Sequence, residues 1–343
     1  MREEMGRFWV DPATEPDFIR RVELMSKEEQ LTMWPMDSSI GSPGTSQGVV
    51  RELDVSRVGT YLDCRRRFRF QYRDHLASKA VRNVSAEYGT AVHAFMDVWH
   101  GVREWDTAWG EFERAWDKLG GDAETDGQRT KAHAEWFLKR YTTKYPEERF
   151  IVLNTERPFE IDIGPYIFQG RIDKIVKAPG EAPQILDHKT TSQLGYSTML
   201  KYHPNLQMLG YVWAGRELIS RDIYSCIVDL ISTAKNATKP IDECFARRVV
   251  NFSDAELNDF PKMFLALANE INDTANRDKE GMGIDAWIPN YSQCTSYGEC
   301  PFRRLCTQPR EIWDGIIAAD FQEKIWSPIK DKENVLRGRF NVA

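Results

Sequence analysis

Three charged residues near the middle of the chain have the types and spacing needed to hydrolyse a phosphodiester. Asp187 and Lys189 are two residues apart in ILDHKTT, and Asp173 lies in the preceding segment GRID. Side chains at i and i+2 of a strand share one face. If neighbouring strands carry these segments, two carboxylates and one ammonium group converge. Carboxylates hold Mg²⁺, a metal polarises phosphate and lowers the pKa of bound water, and a lysine stabilises developing charge.

The flanking residues separate this hypothesis from an exposed strand with ordinary charges. Ile185 and Leu186 precede Asp187 and are apolar, which predicts a buried strand. Buried charges need partners or a metal. The apolar flanks therefore favour a functional site at the D-x-K triplet over an exposed strand with ordinary charges.

Residues 54–211 resemble the RecB-like branch of the PD-(D/E)XK nuclease superfamily. The matching motifs, in chain order, are GTAVH (89–93), GRIDKI (170–175), ILDHKTT (185–191) and QMLGY (207–211). The resemblance implies a restriction-endonuclease-like core that cleaves DNA with Mg²⁺ or Mn²⁺. It makes His93, Asp173 and Asp187 metal ligands and Lys189 the catalytic lysine. It also places Gln207 and Tyr211 on one helix face that reaches DNA or the scissile phosphate.

Two further residues depend on that resemblance. On spacing alone, His93 is more typical of a core or surface histidine, and the resemblance makes it a metal ligand. Glu156 opens the first predicted strand. A surface glutamate and a further acidic member of the site are equally compatible with its position.

Four of the six cysteines form a pattern: Cys64, Cys294, Cys300 and Cys306. Clustered cysteines in a long cytosolic chain indicate metal or cluster ligation more often than disulfides. The pattern resembles the iron–sulfur subset of the same branch, which includes CRISPR-associated adaptation nucleases. In its short, compact form the chain also resembles phage-encoded exonucleases. The resemblance of the cysteine pattern implies a [4Fe–4S] cluster that joins the N- and C-terminal parts. Four thiolates suit zinc equally, and the five residues between Cys294 and Cys300 depart from the family's usual two.

A basic and aromatic segment follows Cys64. Its arginines alternate with Phe68, Phe70 and Tyr72. Arginines suit phosphates and aromatic rings can stack on bases, whereas the alternative is a helix with aromatics in the core and arginines in solvent. We expect both, with the aromatics inward and these arginines outward toward DNA: Arg65, Arg66, Arg67, Arg69 and Arg73.

The elements that must position these residues follow from apolar periodicity and turn residues. Helical spacing predicts helices over 54–76, over 86–101, within 105–145 and after Pro204, and a capping box at Ser253–Glu256 opens another helix to about residue 276. Alternating or β-branched runs predict strands at 156–163, 166–177, 184–191, 223–231 and 246–252. The order predicts an α/β fold with a central mixed β-sheet flanked by helices.

Composition and charge bound the remaining questions. The 343 residues contain 41% hydrophobic and 29% charged residues with a net charge of −6, which disfavours a protein that coats nucleic acid everywhere. The N-terminus has no run typical of a signal peptide, and no window spans a bilayer. We expect a cytosolic protein (bacterial cytosol or phage-infected host) with no membrane partner. The predicted domains are an extension and linker at 1–50, a nuclease domain at 51–310 and a C-terminal extension at 311–343.

These observations lead to three functional hypotheses. The first is a metal-dependent DNA exonuclease acting on single strands or DNA ends in recombination, repair or replication, with a protein of those processes as a partner. The preference for ends comes from the resemblance. The second is a sequence- or structure-specific endonuclease, and the third is a catalytically silent DNA-binding scaffold. Buried paired charges, which an inert scaffold does not need, disfavour the third.

Overall fold

A mixed sheet of seven strands forms the centre of the part of the chain that the structure describes. This structure is a computed structural model, and it describes residues 50–80, 83–121, 129–234, 239–296, 298–329 and 336–340. The predicted N-terminal extension and linker therefore lie outside the described residues, apart from Val50. All described residues belong to one unit, Val50–Phe340.

The strands and helices are as follows. The strands are β1 Glu52–Leu53, β2 Leu76–Ser78, β3 Ile151–Ile163, β4 Tyr166–Lys177, β5 Gln184–Thr191, β6 Ser225–Ser232, β7 Phe245–Asn251, β8 Phe321–Glu323 and β9 Leu336–Phe340. The α-helices are α1 Val55–Asp63, α2 Arg65–Phe68, α3 Val84–Val102, α4 Trp105–Lys118, α5 Lys131–Lys144, α6 Tyr196–Leu200, α7 Leu206–Leu218, α8 Asp254–Arg277, α9 Arg303–Thr307 and α10 Trp313–Asp320. The predicted mixed sheet with flanking helices is confirmed.

The sheet order is β7-β6-β5-β4-β3-β9, and β1 pairs with β4 outside this path. β3 and β4 form an antiparallel hairpin, joined at Gly164-Pro165. Gly164 has a φ of 57°, which a residue with a side chain rarely adopts. β5 and β6 are parallel, and β6 and β7 are antiparallel.

The sheet opens where the candidate residues lie. β4 and β5 pair only from Lys174 opposite Leu186 to Val176 opposite Gln184. The next positions along the ladder would be Asp173 and Asp187, and the two strands part there. Beyond the split, the Asp173 side chain rather than its backbone faces β5.

Helices cover both faces of β5. A Cβ atom on Gly89 of α3 would lie 3.3 Å from Thr190, so α3 packs closely on the face that carries the even-numbered residues. A Cβ atom on Gly215 of α7 would lie 2.8 Å from Ile185, so α7 packs on the opposite face. Glycine permits both close approaches because it has no side chain.

The predicted single helix over 54–76 is wrong. Asp54 caps α1 by accepting hydrogen bonds from the backbone of Ser56 and Arg57. At Cys64 the backbone becomes extended, with a φ of −161°, before α2 begins. The thiol of Cys64 accepts a hydrogen bond from the backbone N–H of Asn290, 3.3 Å away. The break therefore directs Cys64 toward the C-terminal part of the chain.

The C-terminal residues contribute strands. β9 runs parallel to β3 in the main sheet, and β8 pairs with β2. The described part of the predicted extension 311–343 is thus built into the unit. Within the described residues, no helix has the length and apolarity to cross a membrane.

Candidate functional site

The predicted carboxylates and lysine converge where β4 and β5 separate. Asp187 is completely buried, and Asp173 is 9% exposed. The Lys189 ammonium lies 2.7 Å from Oδ2 of Asp187, and a quarter of the lysine side chain reaches solvent. The centre therefore has a buried acidic end and an accessible basic edge.

Asp173 is held by two neighbours. Its Oδ2 accepts a hydrogen bond of 3.0 Å from the backbone N–H of His188. Nδ1 of His93, on α3, lies 3.3 Å from the same oxygen. The predicted association of His93 with Asp173 thus appears in the structure.

Glu156 joins these residues from β3. One ligand atom from each of His93, Glu156 and Asp173 lies within 4.8 Å of the others. Glu156 has a φ of 44°, an unusual conformation for a residue with a side chain. Burial raises the pKa of Glu156, and the Asp173 charge raises it further. The structure therefore favours the acidic-site interpretation of Glu156 over the surface one.

The two central aspartates differ electrostatically. Burial raises the pKa of Asp187 to about 6, against the opposing effect of Lys189. Burial also acts on Asp173, but the charges of His93 and Lys189 outweigh it and lower its pKa. Burial lowers the pKa of Lys189, and the two carboxylates reverse that effect and raise it, so the amine is protonated.

The residues fit a divalent cation. Oδ1 of Asp187 has no hydrogen-bond partner in the described structure, and Oδ2 is paired only with the Lys189 ammonium, although both oxygens are buried. A buried carboxylate oxygen without a partner is costly. Oxygen-rich donors are those that Mg²⁺ and Mn²⁺ prefer. His93, Glu156 and Asp173 form a group that could hold the ion, and Asp187 is a neighbouring buried carboxylate.

Gln207 and Tyr211 lie on α7, on the same side of β5 as Asp187. The Gln207 side-chain amide donates a hydrogen bond of 3.2 Å to the Tyr211 hydroxyl. Burial raises the pKa of Tyr211, and the Asp187 charge adds to this, so the hydroxyl is protonated near the centre. Gly170 makes room for the ring, because a Cβ atom there would lie 3.2 Å from Tyr211.

A row of charged residues behind the centre was missed by the sequence analysis. His188, Asp229 and Arg247 are cross-strand neighbours on β5, β6 and β7. Nδ1 of His188 lies 3.1 Å from Oδ2 of Asp229, and Nε of Arg247 lies 3.4 Å from Oδ1. The row crosses three strands on the face that packs against α3.

Further buried groups complete this network. The Tyr141 hydroxyl donates to Oδ2 of Asp229 at 2.5 Å and accepts a hydrogen bond of 2.7 Å from Arg247. Arg247 also donates to Glu148 at 2.8 Å. His100 lies 3.4 Å from both Glu148 and Tyr141.

Electrostatic effects fix the protonation of this network. Burial opposes ionisation of Asp229, but the hydrogen bond from His188 and the charge of Arg247 lower its pKa well below its usual range. Burial lowers the pKa of His188 to about 3, so its ring is neutral. Two sequence signals were available: single charges inside apolar strands, and polar residues at helical spacing on α3, namely His93, Asp97 and His100.

The four patterned cysteines lie close to one another. Burial raises the pKa of Cys306 to about 11; Arg66 opposes this, and the thiols of Cys64, Cys300 and Cys294 add to it. Within the described part of the chain, no three of these sulfur atoms lie within 4.8 Å of one another. The other two cysteines, Cys226 and Cys244, are buried in the core.

The arginines that follow Cys64 make contacts within the protein, and their contact with DNA stays a prediction. Arg66 is buried, whereas Arg65, Arg67, Arg69 and Arg73 are half-buried. Arg65 pairs with Glu270, Arg69 pairs with Asp74 and Asp278, and Arg66 donates to the backbone oxygen of Trp287. Arg73 stacks over Trp287, with its guanidinium carbon 5.4 Å from the ring centre.

The aromatic part of the same prediction is confirmed for Phe68 and Phe70, which are buried, whereas Tyr72 is half-buried. Neighbouring segments supply the carboxylates and carbonyl oxygens that bind Arg65, Arg66 and Arg69. Arg67 lies near Cys300, where its charge lowers the pKa of the thiol against the larger effect of burial.

Comparison with known proteins supplies an independent finding. The family model described as the PD-(D/E)XK nuclease superfamily matches residues 52–307, which include every candidate site residue named above. No curated protein sequence matches this chain.

Two solved structures illustrate the similarity. A protein from Eubacterium rectale, provisionally named an exonuclease, is 10% identical, with a TM-score of 0.44 over 68% of this chain and 88% of its own. The alkaline exonuclease LHK-Exo from Laribacter hongkongensis is 14% identical, with a TM-score of 0.25 over 57% of this chain and 98% of its own.

Proposed function

The chain belongs to the PD-(D/E)XK nuclease superfamily, and from that premise we propose that it is a metal-dependent deoxyribonuclease acting on DNA ends. One observation carries the proposal. The buried Asp187 carboxylate is paired only with the partly exposed Lys189, and its Oδ1 has no hydrogen-bond partner in the described structure. A chain that served only as a scaffold gains nothing from a buried carboxylate oxygen without a partner.

The proposed division of labour follows the positions of the side chains. Asp173 and Asp187 hold the metal, with His93 and Glu156 as its further neighbours. When bound, the divalent cation polarises the phosphate and acidifies water. Lys189 presents its ammonium at the solvent edge, where it stabilises charge that develops on the phosphate. Gln207 and Tyr211 orient the DNA strand beside it.

The preference for free ends and for single strands rests on the RecB-like resemblance in the motifs. A role in recombination, repair or replication, with a protein partner from those processes, belongs to the same proposal, as does a cytosolic location. Cleavage within a closed strand is the alternative that the assay below separates.

We also propose a [4Fe–4S] cluster on Cys64, Cys294, Cys300 and Cys306. The choice of the larger group over a single zinc ion rests on the resemblance of the cysteine pattern to the iron–sulfur subset. Arg66 and Arg67 lie close enough to Cys306 and Cys300 to affect their pKa, and positive charge there suits thiolate ligands. We therefore propose that Arg66 and Arg67 support this site.

Anaerobic purification tests the cluster. The protein should be brown, contain iron and lose its charge-transfer absorbance when Cys300 is replaced by serine. A colourless protein with stoichiometric zinc would replace iron by zinc in this account.

An end-labelled nuclease assay tests the function. Linear single-stranded, linear duplex and covalently closed circular DNA are incubated with Mg²⁺ or Mn²⁺ and with wild-type protein or Asp187→Asn. Loss of linear but not circular DNA, absent in the variant, is the expected result. Cleavage of circles by the wild type would indicate an endonuclease. Inactivity of metal-loaded protein toward all three substrates would favour the scaffold.

A further inference from the structure

We propose that His188 and Asp229 are positioning residues for the metal centre. They anchor β5 from the face opposite to Asp187 and thereby fix the carboxylate of Asp173. The proposal rests on the proposed function, because it concerns the same centre. It assigns a role to two buried residues that do not themselves belong to the metal site.

The first step is the bond between β5 and Asp173. β4 and β5 stop pairing at Lys174 and Leu186. Beyond that point the backbone N–H of His188 donates to Oδ2 of Asp173 at 3.0 Å. A side-chain acceptor thus takes the place of a ladder carbonyl. The direction of the Asp173 carboxylate therefore depends on the position of the His188 backbone.

The second step is the anchor on the His188 ring. Nδ1 lies 3.1 Å from Oδ2 of Asp229. An ionised carboxylate only accepts hydrogen bonds, so Nδ1 carries the proton and donates it. The same residue therefore donates to one aspartate from its backbone and to another from its ring. These bonds clamp β5 between the metal centre and the core.

The third step is the rigidity of Asp229. Tyr141 donates to its Oδ2 at 2.5 Å, and Arg247 lies 3.4 Å from its Oδ1. Arg247 is in turn bound to Glu148. Asp229 is completely buried on β6, in the middle of the sheet. A residue held in this way cannot follow a displacement of β5, so it serves as a fixed reference.

A buried metal is the alternative reading of the same residues. Ligand atoms of His100, His188 and Asp229 lie within 4.8 Å of one another, and Nε2 of His188 has no hydrogen-bond partner in the described residues. The charges disfavour it. Arg247 pairs with both Asp229 and Glu148, and Arg103 is 3.2 Å from Glu148. The two carboxylates are already balanced, so little negative charge is left for a cation.

Groups that orient metal ligands typically change metal affinity or activity by about 10- to 100-fold when they are removed. We therefore expect loss of the His188 anchor to weaken metal binding at the catalytic centre. Turnover at saturating metal should change less, because Lys189 and the metal ligands remain.

The experiment compares His188→Leu, His188→Asn and His100→Leu with the wild type. Asparagine retains an N–H donor near the position of Nδ1, whereas leucine has none. His100→Leu is the matched control: it removes a buried histidine from the same network, but this residue makes no contact with Asp173 in the described structure. Mn²⁺ binding is measured by electron paramagnetic resonance, thermal stability by circular dichroism and cleavage at saturating Mn²⁺.

The expected result is a selective change in metal affinity. His188→Leu should raise the Kd for Mn²⁺ about tenfold and change saturated turnover less than about threefold. His188→Asn and His100→Leu should keep the Kd within about threefold of wild type, although His100→Leu loses thermal stability. If His188→Leu fails to fold, His188→Gln, whose donor lies one bond further out, should still bind Mn²⁺ more weakly than His188→Asn.

Two kinds of outcome would overturn the proposal. Equal Kd values in all variants, or equal losses in His188→Leu and His100→Leu, would make the network merely structural. A second tightly bound metal, retained in Asp187→Asn and lost in His188→Leu, would establish the buried-metal alternative. If the wild type binds no Mn²⁺ and cleaves nothing, the proposed function itself fails. Equal Kd values in all variants, or equal losses in His188→Leu and His100→Leu, refute only the positioning role when the wild type is active.

Discussion

The two faces of β5 treat buried charge in opposite ways. On the face toward α7, the Asp187 carboxylate is paired only with Lys189, its Oδ1 has no hydrogen-bond partner among the described residues, and burial raises its pKa to about 6. On the face toward α3, Asp229 accepts hydrogen bonds from His188 and Tyr141, which together with Arg247 lower its pKa. Both carboxylates are completely buried.

The difference separates a buried charge that the chain compensates from one that it leaves accessible to a ligand. Where the chain supplies its own donors, a buried carboxylate is compensated and contributes to the fold. Where the chain leaves a carboxylate oxygen without a hydrogen-bond donor, that oxygen is available to a ligand. Equal chemical changes on the two faces should therefore have unequal consequences for activity and stability.

The largest expected effect is the loss of cleavage in Asp187→Asn. The substitution keeps the shape of the side chain and removes the charge that we assign to the metal. We expect activity to fall about 10³-fold, with the denaturation midpoint of metal-free protein unchanged. A variant that retains a tenth of wild-type activity would remove Asp187 from the centre.

Asp229→Asn should lower the stability of the protein, unlike Asp187→Asn. Removing one partner from a buried pair leaves Arg247 undercompensated, so we expect a loss of about 3 kcal/mol in the free energy of unfolding. Urea denaturation measures it. Asp162→Asn is the control, because Asp162 forms an exposed pair with Arg339 and should cost less than about 0.5 kcal/mol. Equal stability of the two variants would contradict the contrast between the faces.

Metal affinity should depend on pH through Asp187. Its pKa in the metal-free protein is raised to about 6, so the carboxyl is protonated below that pH and ionised above it. Protons therefore compete with the metal, and the Kd for Mn²⁺ should rise by up to about tenfold per pH unit below 6. Calorimetric titrations between pH 5 and 8 measure this. A Kd that does not change across that range would contradict it.

The smallest expected effect concerns Glu156, at the edge of the centre. Its carboxylate lies near His93 and Asp173 but is partly exposed. Glu156→Gln keeps the backbone conformation and removes the charge. We expect about a threefold weaker affinity for Mn²⁺, measured by the same titration. An unchanged affinity would return Glu156 to the interpretation of a surface glutamate.

The sequence was most informative where short patterns determine structure. The hairpin of β3 and β4, strand β5 and the capping box before α8 follow from local spacing. Asp173, Asp187 and Lys189 converge because i, i+2 spacing and strand order suffice to bring them together.

The sequence was least informative where distant segments supply partners. Arg65 and Arg69 pair with Glu270 and Asp278, which lie far along the chain. The row of His188, Asp229 and Arg247 depends on the register of three strands, which single strands do not encode. The split between β4 and β5 is likewise a property of the assembled sheet.

The central claim is that Asp187 is reserved for a catalytic metal, and Mn²⁺ binding tests it most directly. Electron paramagnetic resonance titrations are run on metal-stripped wild type, Asp187→Asn and Lys189→Ala, with cleavage measured on the same samples. We predict that the wild type binds Mn²⁺ and cleaves, that Lys189→Ala binds Mn²⁺ without cleaving, and that Asp187→Asn does neither. Wild-type Mn²⁺ binding by Asp187→Asn, or cleavage by the wild type in the presence of a chelator, would contradict the claim.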